Sequence, residues 1–83
     1  MSKNKKVLLV INPISGGIDK AEIIDYLEKR FAREKQLLSL YYTSGKNDEE
    51  QLRGIIHEMN PERILIVGGD GTIKLVAGVI RET

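Results

Sequence analysis

Ile64-Leu65-Ile66-Val67-Gly68-Gly69-Asp70-Gly71-Thr72 decides how this chain is read. Four apolar residues run into glycine, and a helix-patterned stretch from Ile73 to Arg81 follows at once. A strand that ends in glycines and feeds a helix gathers bare backbone N–H groups and the positive end of a helix dipole at one point, which suits phosphate. Glycine lets backbone approach a ligand without interference from Cβ and permits φ > 0 where a turn needs it. Asp70 stands apart from that logic. A carboxylate among phosphate-cradling amides repels the ligand unless it holds a magnesium-bound water, orients a hydroxyl or takes a proton. Its other reading is plain, because Asp is also a favoured helix N-cap. The segment therefore points to a nucleotide site with chemistry attached.

Working outward, the same strand-then-helix unit recurs twice upstream. Val7 to Ile11 is continuously apolar, as expected of a parallel strand covered by helices on both faces. It stops at Asn12-Pro13 and passes through Ile14-Ser15-Gly16-Gly17 into a helix expected near Lys20 to Glu34. Asp19 and Glu22 have capping-box spacing there, and Ile23, Ile24, Leu27 and Phe31 form a stripe at intervals of three and four. A second strand, Leu37 to Tyr42, ends at Thr43-Ser44-Gly45. The next helix has Asn47 and Glu50 as its capping pair and Leu52, Ile55, Ile56 and Met59 on one face, and Asn60-Pro61 stops it.

Alternating strands and helices with such connections predict β-α-β units with right-handed crossovers. The expected fold is a three-layer α/β/α domain with a short parallel sheet built from three βα units. The loops at 12–17, 43–47 and 68–72 then share the carboxyl edge of the sheet, where ligands of open α/β sheets bind.

Composition narrows the classes. The chain has 83 residues, 41% apolar and 30% charged, which fits one small globular domain. A net charge of +1 with scattered Lys and Arg gives no footprint for nucleic acid. No cysteine is present, so disulfides and thiolate metal sites are excluded, and no metal-ligating cluster stands out. The longest apolar run, Val7 to Ile11, is far short of the ~18 residues of a membrane span. A cytoplasmic location is the expectation, with any membrane contact peripheral, at the inner face, and in a full-length protein. Lys3, Lys5 and Lys6 read as a solvated N-terminus.

The last helix is broadly apolar. Ile73, Leu75, Val76, Ala77, Val79 and Ile80 span roughly 200° of its circumference, against a ~100° stripe on an ordinary surface helix. Such a helix wants cover on two sides. Residues 1–83 are therefore expected to form one nucleotide-binding subdomain of a longer protein, or else to bury this face in a homodimer.

Asn12-Pro13-x-Ser15-Gly16-Gly17 after a first strand, with Gly68-Gly69-Asp70-Gly71-Thr72 after a third, resembles the start of the diacylglycerol kinase catalytic domain. Bacterial lipid kinases and sphingosine kinases are similar. The resemblance spans nearly the whole chain but only the N-terminal part of that family's nucleotide-binding domain. It implies ATP binding by Asn12, Pro13, Ile14, Ser15, Gly16, Thr43, Gly68, Gly69, Asp70, Gly71, Thr72, Ile73 and Lys74. It further implies magnesium-dependent transfer of the γ-phosphate to the hydroxyl of a diacylglycerol-like lipid, in phospholipid metabolism, with Asp70 as the catalytic residue. Two departures accompany it. The family usually continues the glycine motif with Asn-Glu and later Asn-Gly, whereas this chain has Lys74-Leu75 and Gly78-Val79. The family's β-rich C-terminal lipid-binding domain is absent from these residues, so the 83 residues alone are not expected to turn over.

Two other readings share part of this pattern. An NAD kinase shares the glycine motif, but the Asn-Pro-x-Ser-Gly-Gly segment argues against it. A non-catalytic remnant that binds nucleotide weakly or only self-associates belongs to a different class. Ser44-Gly45-Lys46 fails as a Walker A motif because position 40 is Leu, and Gly69-x-Gly71 fails as a dinucleotide fingerprint because Lys74 follows. His57 is expected in solvent, and Tyr41 and Tyr42 are expected to pack at a strand end.

Overall fold

The computed structural model describes residues 5–14 and 20–82. Its elements alternate in chain order: β1 (Lys6–Ile11), α1 (Lys20–Arg33), β2 (Leu37–Tyr42), α2 (Asp48–Met59), β3 (Arg63–Val67) and α3 (Asp70–Glu82). All pairing is parallel, in the order β2-β1-β3. β1 lies in the middle, and residues 7–11 of it are buried, which is why its apolar run is unbroken after Lys6.

Strand periodicity sends alternate side chains of β1 to opposite faces. Leu8 and Val10 pack with Leu52 of α2 and with Val76 and Val79 of α3, in a core that also takes in Ile55, Ile56, Met59, Ile64 and Ile66. Val7, Leu9 and Ile11 face the other way, toward α1, whose Phe31 is buried. The result is the expected three-layer α/β/α arrangement, with α1 on one face and α2 and α3 together on the other. The chain steps from β1 out to β2 and then back past β1 to β3. Its direction of winding thus reverses at β1, and the segments leaving β1 and β3 diverge to opposite faces. A crevice at the carboxyl ends of the strands is the consequence.

Helix boundaries show where local chemistry overrides spacing. Asn60 ends α2 in the left-handed conformation (φ 49°) and donates its N–H to Ile56 O, with Pro61 blocking continuation. At the other end of α2 the expected Asn47 capping box does not form. Asn47 is itself left-handed (φ 57°) and makes no side-chain cap bond. Asp19 of the other capping pair lies outside the described residues, as do Ser15, Gly16 and Gly17. α3 begins three residues earlier than its apolar pattern, at Asp70 rather than Ile73, so the glycine segment is itself the first turn of the helix.

The wide apolar arc of α3 is only half used. Thr72, Val76 and Val79 are buried, whereas Ile73 and Ile80 remain 49% and 48% exposed and Ala77 lies between them on the same open side. Among the described residues no helix is long and apolar enough to cross a membrane. His57 is exposed, as expected.

Candidate functional site

The sheet brings the ends of β1 and β3 into contact before any ligand is considered. Asn12 donates its N–H to Val67 O at 2.9 Å, extending the ladder one residue past the strand. Immediately beyond, Gly68 sits where no side chain fits. A methyl group there would lie 2.7 Å from Thr72 Oγ1, 3.0 Å from Thr72 Cβ and 3.1 Å from Asn12 Cβ. The need for glycine at this position is one of space. The only described glycine with positive φ is Gly45, so the freedom to turn left-handed, invoked for the 68–72 glycines on sequence grounds, is not what they supply. Gly69 and Gly71 face open space and leave their backbone uncovered.

Thr72 is 4% exposed and locks the first turn of α3 against the β1–β3 edge. Its N–H and that of Ile73 both return to Gly69 O, at 3.1 and 3.2 Å. The N–H groups of Asp70 and Gly71, the first of the helix, have no partner among the described residues. Unpaired amides at a helix start, carrying the positive end of its dipole, form an anion-seeking surface. The Asp70 carboxylate is exposed and makes no hydrogen bond among the described residues, so it does not act as a side-chain cap.

The bend after β1 is shaped by Asn12, whose Oδ1 accepts the Ile14 N–H at 3.0 Å and leaves Ile14 projecting into solvent. The bend after β2 is tied to the centre of the sheet by Thr43, whose N–H donates to Ile11 O at 2.8 Å. These three bends border a cleft of about 310 Å³ lined by Asn12, Ile14, Thr43, Ser44, Gly45, Asp48, Gly71, Thr72 and Leu75. The size is that of a small-molecule site.

Five of the residues singled out from sequence therefore share one cleft: Asn12, Ile14, Thr43, Gly71 and Thr72. Gly68, Gly69, Asp70, Ile73 and Lys74 are exposed and are not part of its lining, the last three standing on the first turns of α3. Pro13 turns to the α1 face, where it borders a separate hollow with Ile11, Lys20, Ile24 and Tyr42. Ser15 and Gly16 lie outside the described residues.

Sequence reasoning missed Ser44, Gly45, Asp48 and Leu75. Asp48 is the most connected of them. Its Oδ1 accepts the Tyr41 hydroxyl at 2.7 Å and the Ser44 N–H at 2.9 Å, and its Oδ2 accepts the Gly45 N–H at 2.8 Å. Partial burial pushes this carboxyl up, but the bonds from Tyr41, Ser44 and Gly45 outweigh it and hold the group below its ordinary value. Tyr41 responds in the opposite sense: burial, then its bond to Asp48, raises its hydroxyl to about 12. The available signal was an Asp placed just after a Ser-Gly turn, where its short side chain can reach back to backbone N–H groups.

No curated protein matches the chain. The diacylglycerol kinase catalytic domain family, however, matches over residues 6–83, from the first residue of β1 onward, and covers every element that builds the cleft. The parallel fold, the two bends that meet at Gly68 and this match agree, and the chain belongs to the diacylglycerol kinase catalytic domain family as an N-terminal part of it.

Proposed function

We propose that this chain is the ATP-binding part of a lipid kinase, with the polyphosphate seated between the bends that follow β1 and β3. The observation that carries the reading is the space at Gly68. Asn12 and Thr72 close in on one bare backbone, so the anion-seeking start of α3 and the turn at 12–14 serve one ligand rather than two. Thr43 contributes the third side, hydrogen-bonded by its own N–H to the end of β1. In this reading Asn12, Pro13, Ile14, Ser15, Gly16, Thr43 and the 68–74 segment hold the nucleotide.

The chemistry is transfer of the γ-phosphate to a lipid hydroxyl of the diacylglycerol class. Phosphoryl transfer relies on positioning and on neutralising charge over the phosphate oxygens. The Asp70 and Gly71 amides bind and orient the phosphates, and Asp70, exposed beside them, is the group that holds or takes a proton near the attacking hydroxyl. Magnesium, when bound, supplies charge neutralisation. A magnesium ion that enters with substrate phosphates needs few protein ligands. Asp70 is the residue that would hold it.

Titration of the chain with Mg-ATP, followed by amide shifts, tests the reading. Shifts clustered at 12–14 and 69–74 are expected, with a weaker response to NAD. No response to ATP at either bend, or a stronger one to NAD, overturns it. Lipid phosphorylation is not expected from these 83 residues alone, because the acceptor must also be held in line with the γ-phosphate.

A further inference from the structure

The sheet's carboxyl edge carries another turn that resembles an anion seat, and a side chain of the protein already fills it. The N–H groups of Ser44 and Gly45 point to one place, and the two carboxylate oxygens of Asp48 occupy that place at 2.9 and 2.8 Å. Tyr41, from the preceding strand, donates its hydroxyl to the same carboxylate at 2.7 Å. Ser44 closes the turn further: its Oγ donates to Lys46 O at 3.1 Å and accepts the Lys46 N–H at 3.2 Å. Asp48, Ser44 and Gly45 all line the same cleft as Gly71 and Thr72.

We infer that Asp48 is a positioning and specificity-determining residue, whose carboxylate holds the 43–45 wall of the cleft and keeps phosphate off the β2–α2 turn. The inference rests on the nucleotide-site reading above and adds a direction to it. Within one cleft the β3–α3 bend offers unpaired amides, whereas the β2–α2 bend offers amides already bonded to a fixed negative charge. A polyphosphate entering the cleft meets attraction on the first side and repulsion on the second. Charge-assisted bonds from backbone N–H to carboxylate are among the stronger ones a turn can make, so the seat is not lent to a passing anion.

The test uses inorganic tripolyphosphate as the probe and amide shifts as the readout, on the wild-type chain and on Asp48→Ala, Asp48→Asn and Tyr41→Phe. In the wild type, shifts are expected at 69–74 and not at Ser44 or Gly45. Asp48→Ala frees both amides, so new shifts are expected at Ser44 and Gly45. Asp48→Asn removes the charge and keeps one acceptor oxygen for two amides, so a smaller response is expected at Ser44 and Gly45. Tyr41→Phe leaves both backbone bonds in place and is expected to keep the seat closed. Ser44 and Gly45 amides that stay unshifted in Asp48→Ala overturn the inference, as does a wild-type response there equal to that at 69–74. Should the wild type fail to respond at 69–74, the nucleotide reading falls. The comparison of Ser44 and Gly45 between wild type and Asp48→Ala still decides the role of Asp48. A folded Asp48→Asn keeps that comparison legible if the alanine variant unfolds.

Discussion

Two bends on the same rim solve the same local problem in opposite ways. Each leaves a parallel strand, contains glycine and opens a helix. The β2–α2 bend satisfies itself: Asp48 takes the Ser44 and Gly45 amides, and Tyr41 steadies Asp48 from the strand behind. The β3–α3 bend does not. Its helix starts with unpaired amides at Asp70 and Gly71, and its one tight contact, Gly68 against Thr72 and Asn12, binds it to the sheet without filling the anion-seeking surface. A glycine-bearing bend is thus informative about ligands only once the destination of its N–H groups is known.

Removing the space at Gly68 breaks the comparison most directly. Gly68→Ala places a methyl 2.7 Å from Thr72 Oγ1. Thr72 is buried and β-branched, so it has little room to withdraw. A loss of ~1–3 kcal/mol is expected, as for other overpacked sites. Urea unfolding measures it, and a midpoint equal to wild type would show that Thr72 and Asn12 yield freely around position 68.

The self-satisfied bend can be opened next. Asp48→Ala leaves two backbone amides without their acceptor and the Tyr41 hydroxyl with only the longer 3.3 Å bond to Gln51 Oε1, and about 1–2 kcal/mol of stability is expected to go with them. Hydrogen exchange should rise at Ser44 and Gly45 and stay unchanged at 71–76. Equal acceleration in both bends would mean that they open together and that the contrast is one of appearance.

Acid sharpens the same point. The native carboxyl of Asp48 lies below its ordinary value. Its contribution is therefore complete above the unfolded-state pKa of about 3.9 and is lost as pH falls through the lower native value. The stability gap between wild type and Asp48→Asn should hold at neutral pH and close only below that range. A gap that closes near pH 6 would assign the effect to another group.

Alkali gives a smaller, spectroscopic effect. The Tyr41 hydroxyl is raised to about 12, so its stabilising bond is fully present below the unfolded tyrosine pKa of about 10 and is lost as pH rises through the native value. A late phase of tyrosine ionisation is expected, and Tyr41→Phe should abolish it. Smallest of all is Lys29→Ala. It removes a 3.0 Å pair with Asp25 on the solvent face of α1, and a change within ~0.5 kcal/mol is expected in the same unfolding assay.

The fold was legible because β1 is continuously apolar from Val7 to Ile11 and the helices of the first two units keep their spacing of three and four. Those patterns follow from burial on two faces and on one stripe, and both survive into the structure. The site was legible where glycine and Asn12 marked a bend. It was obscured where a side chain reached back along the chain. Spacing favoured Asn47 and Glu50 as a capping pair, but Asn47 adopts a left-handed backbone that turns its side chain from the task, and the neighbouring carboxylate of Asp48 bonds to the turn instead. Residue spacing does not encode that competition. The extent of α3 was misjudged for a related reason: glycines read as a loop, yet helix hydrogen bonds begin among them as soon as Thr72 is buried.

The central position of β1 carries a consequence for how occupancy of the cleft would be felt. Its lining residues come from three successive units, and the crossovers that join them must both be complete before those residues meet. An unfolded chain has no partial version of the cavity to offer. Any molecule that settles there acts as a clasp between early and late parts of the polypeptide, and melting should shift upward with its concentration in the manner of ligand linkage. Heat alone, with a dye and a series of anions, would then rank what this protein prefers to hold.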